Sequence, residues 1–451
     1  MFFTPHPNKM KKTIITLTTI LLFTSPLISQ IVDIPDIYFL DALLDEGVDA
    51  NEDGQISYTE AEAFDSLNVS GKNISDMTGI EAFVNIEYLD CSTNQLDSLD
   101  MSSNDSLIEF RCNDNVLKNL ILSGNTELRI LNCTRNTLNS LNVSENTVLD
   151  QLHCEVNFLN SLDVSNNLVL SELYCGTNIL DNLNVTKNLA LKRLACSGNN
   201  LTILDMSKNV SLEYLNFSNN QLTGLDLSKN TSLSSLECIK NELTNLDLSN
   251  NAALTHLICH DNQLVSIDVS NVTTLIKLDC RNNQLCSLDI SMNTDLEGLN
   301  CCENYLTSLD ISNNTLLGVG DEDWQSIYLC NNPTLSKVCV WTMPFPPANV
   351  KIFYQGSPNV YFTTDCSVGI EETNLSILRY YPNPANNLLT IDSEQYDNYS
   401  VIISALNGQL LLNNEVEGHS HEIDLSSFQK GIYLITIRSK NIVVTEKFIK
   451  L

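Results

Sequence analysis

The chain has 451 residues, with 55 acidic and 24 basic side chains and a net charge of −31. Residues 31–375 account for that whole imbalance, with 47 acidic and 15 basic residues. Nucleic acid and anionic membrane surfaces are themselves negatively charged, so the composition argues against both as partners.

The first 29 residues have the layout of a secretory signal peptide. Three lysines at positions 9, 11 and 12 precede a mainly apolar run from Thr13 to Phe23, and small and polar residues follow. The run is too short to span a membrane, and no later stretch approaches about eighteen consecutive apolar residues. We therefore predict that residues 1–29 are a signal peptide and that the mature protein has no integral membrane span.

Residues 30–66 are predicted to form an N-terminal cap that contains a calcium loop. The stretch from Asp49 to Glu60 fits the spacing D-x-[DN]-x-[DN]-G-x-I-x-x-x-E and resembles the EF-hand loop. Oxygen atoms at this spacing surround a Ca²⁺ ion, and the residues that would supply them are Asp49, Asn51, Asp53, Gln55 through its carbonyl, Ser57, and Glu60 with both carboxylate oxygens. We predict short helices at Tyr38–Leu44 and Glu60–Asp65 and one structural ion, with an affinity of roughly 10⁻⁴–10⁻³ M. The alternative is an acidic turn without an ion.

One pattern then recurs eleven times at a spacing of 21 residues. A unit such as residues 278–298 reads L-x-C-x-x-N-x-L-x-x-L-D-[VI]-S-x-N-x-x-L-x-x, and asparagine follows the cysteine position by three residues in every repeat. Phe217 occupies the cysteine position once, and the other ten repeats have Cys91, Cys112, Cys133, Cys154, Cys175, Cys196, Cys238, Cys259, Cys280 and Cys301.

This unit resembles the leucine-rich repeat, near the short end of its length range, and the resemblance spans residues 67–335. Repeats of fixed length stack into a solenoid, because one unit cannot bury its apolar face alone. Two similar half-units per repeat imply a thin coil with an extended segment on each side. The predicted fold class is mainly β: a leucine-rich repeat solenoid with a small helical N-terminal cap and a C-terminal β-sandwich.

The repeated cysteines and asparagines are predicted to be structural. In Leu-x-Cys, strand alternation directs leucine and cysteine inward and the intervening residue outward. Cysteine there behaves as a small apolar residue, and Phe217 in the same position indicates that bulk matters more than sulfur chemistry. The inward asparagines are expected to bind backbone groups that the bends leave unpaired. We therefore predict ten packed, reduced thiols.

The other five cysteines lie at irregular positions. Cys302 and Cys330 occupy the same outward position on adjacent coils, on either side of an insertion around Gly318, so we predict that they form a disulfide. Cys339 and Cys366 flank a proline-bearing stretch within the predicted C-terminal cap and linker, residues 336–374, and could form a second bridge. Cys286 is left alone.

Residues 375–451 lose the repeat and alternate β-branched and aromatic residues in short runs, as in a small β-sandwich. The segments Tyr381–Ala385 (YPNPA), Asn407–Gln409 (NGQ), Lys430–Leu434 (KGIYL) and Lys447–Lys450 (KFIK) resemble the C-terminal sorting domain of the bacterial type IX secretion system. The resemblance implies passage through the periplasm, recognition of residues 375–451 by the outer-membrane export machinery, and a secreted or cell-surface location.

No catalytic motif accompanies these features. His256 and His260 are expected to point outward beside Asp279 and Arg281, but a zinc site lacks a third ligand there. There is no Ser-His-Asp ordering at a strained turn and no glycine-rich phosphate loop, so we predict that the protein is not an enzyme.

The outward residues vary along a constant frame, which indicates a binding surface. We predict a surface binding or adhesion protein, similar to internalin-type adhesins, with an unidentified protein or surface glycan as ligand. The alternatives are a carbohydrate-binding accessory module of a polysaccharide-degrading system and a structural surface-layer component. The tyrosines are interpreted as scattered, which argues against the carbohydrate module.

Overall fold

The computed structural model describes residues 30–319, 326–348, 350–366, 378–393, 398–405, 409–439 and 442–451. The predicted signal peptide, residues 1–29, and most of the insertion after Gly318 lie outside the described residues. The described part is mainly β, and it combines a leucine-rich repeat solenoid of about 14 turns with an antiparallel C-terminal unit.

The N-terminal cap contains two short helices, Ile37–Asp45 and Tyr58–Ala61. Outside residues 36–66, the helical content of the described residues is one 3₁₀ turn, Ile80–Ala82. The second helix begins two residues earlier than the sequence predicts and is shorter, because Ser57, within the 49–60 loop, caps it.

Asp36 ties this cap to the first coil. One carboxylate oxygen accepts hydrogen bonds from the backbone N–H groups of Tyr38 and Phe39, and the other accepts from Ser75 and Asp76. Burial alone would raise the pKa of Asp36, but the bonds from Ser75, Phe39 and Asp76 outweigh it and hold the pKa below its usual value.

A parallel sheet of 14 strands runs along one side of the solenoid within the described residues. Each strand pairs in register with the strand of the next coil, as Leu215 does with Leu236. In order of pairing, the strands are Ser66–Asn68, Tyr88–Asp90, Glu109–Arg111, Ile130–Asn132, Gln151–His153, Glu172–Tyr174, Arg193–Ala195, Tyr214–Asn216, Ser235–Glu237, His256–Ile258, Lys277–Asp279, Gly298–Asn300, Ser326–Tyr328 and Lys351–Phe353.

The opposite side of the coil is extended but forms few strands. Ser98–Asp100 pairs with Asn119–Ile121 near the N-terminal end. Near the other end, Ser308–Asp310, Lys337–Cys339 and Tyr361–Thr363 form a three-stranded parallel sheet. The 14-stranded sheet and this three-stranded sheet thus both continue into the segment predicted as a C-terminal cap, residues 336–374. The disulfide Cys302–Cys330 in the last coils and the disulfide Cys339–Cys366 in that segment form as the sequence predicts.

Leucine and cysteine side chains fill the interior between the two sides. In the eleven repeats, the middle residue of each strand and the residue two positions later are fully buried, as Leu173 and Cys175 illustrate. All ten repeated cysteines are free thiols with no exposed surface, and Phe217 is buried in the same position. The prediction that these residues are packed and reduced is confirmed.

The asparagine three residues after each cysteine forms the first ladder, in which each side chain bridges neighbouring coils. Asn178 donates through Nδ2 to the carbonyls of Cys154, Cys175 and Gly176 at 3.0, 3.1 and 3.3 Å. Its Oδ1 accepts the N–H of Leu159 at 2.9 Å. The predicted role of these asparagines in binding bend backbone is confirmed.

A second asparagine ladder, from Asn104 to Asn314, lines the other bend with fewer bonds. Asn188 donates to the carbonyls of Val164 and Asn167 at 2.9 Å each, and its buried Oδ1 has no hydrogen-bond partner. Both carbonyls also accept a backbone N–H, so neither depends on the asparagine alone. Val272 replaces asparagine in this ladder, whereas all eleven repeats keep it in the first.

The described residues between 378 and 451 form two facing antiparallel sheets, which confirms the predicted β-sandwich. One sheet consists of Leu378–Tyr381, Leu388–Ser393 and Ser420–Asp424, and the other of Leu410–Glu417, Asn398–Ala405, Gly431–Ser439 and Ile442–Lys450. Ile391 of the first sheet and Ile403, Ile435 and Phe448 of the second share one buried core.

The two ladders are expected to differ in mutational cost. Asn178→Val leaves the buried N–H of Leu159 without an acceptor, so it should cost about 3 kcal/mol of unfolding free energy, whereas Asn188→Val should cost about 1 kcal/mol. Urea denaturation of the two purified variants measures both values. Equal losses would contradict the distinction between the ladders.

Alkaline pH is expected to unfold the solenoid through its thiols. Burial raises the pKa of Cys133, Cys196 and Cys301 to about 12. Because the pKa of each thiol is higher in the folded than in the unfolded protein, a rising pH ionises the unfolded state first. The contribution of each thiol to the unfolding free energy is therefore complete below about pH 9 and is lost as the pH rises towards 12, at about 1.4 kcal/mol per pH unit.

The melting temperature should therefore fall steeply between about pH 9 and 11. Replacing Cys154, Cys175 and Cys196 together by alanine should make that decline shallower, although it lowers stability at neutral pH. Calorimetry across this pH range checks the slope. The same slope in the wild-type protein and the triple variant would show that the thiols do not control it.

Candidate calcium loop and binding face

The loop of residues 49–60, the candidate calcium loop, folds around its own acidic side chains. Asp49 accepts the N–H groups of Asp53 and Gly54 at 3.1 and 2.7 Å, and Asn51 accepts that of Asp53 at 2.8 Å. Gly54, at φ 77°, supplies the left-handed turn that this closure requires. Three of the predicted ligand residues thus share one tight turn.

Glu60 closes the loop from its far end. Its Oε1 accepts the N–H groups of Ala50 and Asn51 at 3.1 and 3.3 Å, while Oε2 accepts from the N–H and hydroxyl of Ser57 at 2.9 and 2.8 Å. The bond from the Ser57 N–H is the first cause of a lowered Glu60 pKa. The carboxylate is therefore ionised at neutral pH, as a calcium ligand must be.

The donor set fits calcium in composition, because carboxylate, amide and hydroxyl oxygens meet in one loop. The carboxylate oxygens of Asp49, Asp53 and Glu60 do not all lie within 4.8 Å of one another, so ion binding would have to draw them together. Among the described residues, Asp310, Cys339 and Cys366 are the one cluster that meets that distance, and both of its cysteines are in a disulfide.

The loop is also tied to the start of the described chain. The N–H of Val32 donates to the carbonyl of Ile56 at 2.8 Å, and the N–H of Tyr58 donates to the carbonyl of Gln30 at 3.0 Å. The side chain of Ile56 is buried in the cap core. Order in the loop is thereby coupled to order in the cap.

We use the term strand face for the outward side of the 14-stranded sheet. On its central coils, aromatic and charged side chains form a connected set. His153 lies 4.7 Å from Tyr174 between ring centroids. Arg193 donates from Nε to the Tyr174 hydroxyl at 2.8 Å, and its guanidinium lies 5.2 Å from the centroid of the Tyr214 ring. The Tyr214 hydroxyl donates to Glu237 at 3.2 Å.

This network corrects the interpretation of the tyrosines as scattered. The sequence reasoning counted only the residue between leucine and cysteine as outward, which includes Tyr174. The residue before the leucine also points outward, and it contributes Arg193 and Tyr214. Plotting both positions coil by coil would have revealed the cluster.

A second group surrounds His260, which lies two residues beyond the strand His256–Ile258 and is buried. Its Nδ1 lies 2.7 Å from Asp261, and its Nε2 lies 3.0 Å from an Arg281 nitrogen. Arg281 in turn forms an ion pair with Asp279 at 3.4 Å. Both ring nitrogens of His260 are engaged, which argues further against zinc.

Residues 379–451 match the family described as the secretion system C-terminal sorting domain. The protein is therefore a type IX secretion substrate, located at the cell surface or secreted. No helix among the described residues has the length and apolar character needed to cross a membrane. No curated protein matches the chain.

Solved structures share the solenoid fold. The functional domain of InlJ from Listeria monocytogenes, which includes a cysteine ladder, is 25% identical with a TM-score of 0.50, and the match covers 94% of this chain and 100% of that one. An internalin, InlF, from Listeria monocytogenes strain 4b F2365 is 20% identical with a TM-score of 0.61, covering 74% and 98%. The chain thus combines an internalin-like solenoid fold with a C-terminal sorting domain.

Proposed function

We propose that this exported protein is a non-enzymatic binding protein and that the strand face holds a protein ligand. The observation that carries the proposal is the connected set of Tyr174, Arg193 and Tyr214 on three successive coils. Tyrosine and arginine dominate the energetics of protein interfaces. Here their mutual contacts hold them in place, so little side-chain entropy remains to be lost on binding.

A glycan is the second candidate ligand, because tyrosine rings on one face can stack on sugars. The geometry favours a protein instead. The guanidinium of Arg193 covers one face of the Tyr214 ring, which leaves less of that ring open for a sugar.

The proposal also divides the chain by role. We propose a signal peptide at residues 1–29, a cap at 30–66, the ligand-binding solenoid at 67–335, a C-terminal cap and linker at 336–374, and a unit at 375–451 that binds the outer-membrane export machinery. The match to the sorting-domain family supports the last of these assignments.

Replacing both Tyr174 and Tyr214 by alanine should abolish ligand capture. A hot-spot loss of about 2 kcal/mol or more corresponds to at least about 30-fold weaker binding. Immobilised protein is incubated with labelled extracts of host or environmental cell surfaces, and the retained proteins are identified and titrated. The control carries Tyr38→Ala and Tyr361→Ala, which are exposed and lie outside the network. Ligands retained equally by both double variants would refute the assignment of this face.

We further propose that the 49–60 loop binds one structural calcium ion through Asp49, Asn51, Asp53, Gln55, Ser57 and Glu60. The closure of the loop by Glu60 and its attachment to Gln30 and Val32 support a role in stiffening the cap. The ion would neutralise the repulsion between the clustered carboxylates and draw them together.

Millimolar calcium should stabilise the protein by about 1 kcal/mol if the affinity is in the extracellular range. Glu60→Gln removes a charged ligand and should eliminate the calcium-dependent rise in melting temperature, whereas Glu62→Gln, just outside the loop, should preserve it. Magnesium serves as the ion control. A wild-type melting temperature that does not respond to calcium would show that the loop is an acidic turn without an ion.

A further inference from the structure

Beside the strand face runs a line of turns that lacks acidic residues. We call it the turn ridge and define it as residues 165–169, 186–190, 207–211, 228–232, 249–253 and 270–274, each of which leads into the next strand. None of these turns contains aspartate or glutamate, although the turns on either side contain Glu145 and Asp295. The turn ridge thus lacks negative charge on a chain whose net charge is −31.

Lysines occupy the ridge where the acidic residues are missing. Lys187, Lys208 and Lys229 stand at the same position on consecutive coils and are exposed. Residues 187–229 contain five basic and three acidic residues, against 15 and 47 over residues 31–375. Stacking like charges about one strand spacing apart, roughly 4.8 Å, is unfavourable unless a partner offsets it.

The protein offsets these charges at a distance, through one aspartate near each lysine, and not through direct ion pairs. No ion pair of the three ridge lysines occurs among the described residues. The pKa values of Asp163, Asp205 and Asp226 are lowered first by the N–H of the serine two residues later and in smaller part by a ridge lysine. The distance from the Ser207 and Ser228 N–H groups to Asp205 and Asp226 is 2.9 Å each. The lysine charges thus remain available to a ligand.

Exposed aliphatic side chains interleave with these lysines. Leu168, Val169, Leu189 and Val210 are 58, 48, 59 and 53% exposed, on the same ridge. Each lies a few residues before a strand that contributes to the network. Val169 precedes the strand that contains Tyr174, and Val210 precedes the strand that begins at Tyr214. The ridge and the strand face therefore form one continuous surface.

We infer that the ligand is a protein whose contacting segment is acidic and carries apolar side chains, and that it crosses from the strand face onto the turn ridge. This inference rests on the proposed function. Complementary charge would orient the segment, and the aliphatic side chains would bury its apolar groups. An anionic membrane fits less well, because Glu172 and Glu237 lie on the adjoining strands, Glu213 lies just before one, and all three would repel a broad anionic surface.

Selection from phage-displayed random peptides on the full exported chain tests the inference. The ridge variant carries Lys187→Gln, Lys208→Gln and Lys229→Gln. The matched control carries Lys118→Gln, Arg135→Gln and Lys240→Gln, which removes the same charge from exposed positions elsewhere. A third protein carries Tyr174→Ala and Tyr214→Ala, and vesicles with and without phosphatidylglycerol provide the membrane arm.

Peptides enriched by the wild-type protein should be acidic and rich in apolar residues. The ridge variant should bind them on the order of tenfold more weakly, the control should bind them normally, and the tyrosine variant should lose them. Enriched peptides that are not acidic, that bind the ridge variant normally and that fail to bind the tyrosine variant would overturn this inference while leaving the proposed function in place. Peptides that ignore the tyrosines would overturn both. Lysine-dependent binding to phosphatidylglycerol vesicles without acidic peptides would replace the protein ligand with a membrane.

Discussion

Each coil of this solenoid must bend twice around a buried core, and a bend leaves backbone N–H and C=O groups without strand partners. Water cannot reach them, so the chain has to supply donors and acceptors from its own side chains. Asparagine suits the task because one amide both donates and accepts. The bond from Leu159 N–H to Asn178, repeated with Leu180 and Asn199, fixes each coil relative to the next.

That internal frame leaves the outward residues free to serve binding. Leucine, cysteine and asparagine occupy the inward positions on coil after coil, whereas neighbouring strands carry side chains as different as Tyr174, Arg193 and Glu237 on the outside. A rigid frame with variable outward groups can hold tyrosine and arginine in fixed positions. The same regularity stacks the lysines of the turn ridge, which form no direct ion pair within the described residues.

The 21-residue period and the inward leucine, cysteine and asparagine positions predicted most of the fold, because they follow from what a buried coil requires. Other features depend on geometry that the sequence does not mark. Each coil has a left-handed residue before its first-ladder asparagine, and Gly198 stands there once, but Arg135, Val156 and Lys240 adopt it as well. The hydrogen bonds that Ser75 donates to Asp36 span 39 residues and have no local pattern. The candidate calcium ligands were predictable because their spacing lies within one loop, whereas the tyrosine network spans three coils.

Amide hydrogen exchange gives the most direct test of the claim that side-chain amides hold the bends. The N–H groups of Leu138, Leu159, Leu180 and Leu201 lie outside the strands, and each donates to a ladder asparagine. The account predicts that they exchange as slowly as the N–H groups of the neighbouring strands, in the native protein at neutral pH. Exchange at the rate of exposed turn amides would contradict it.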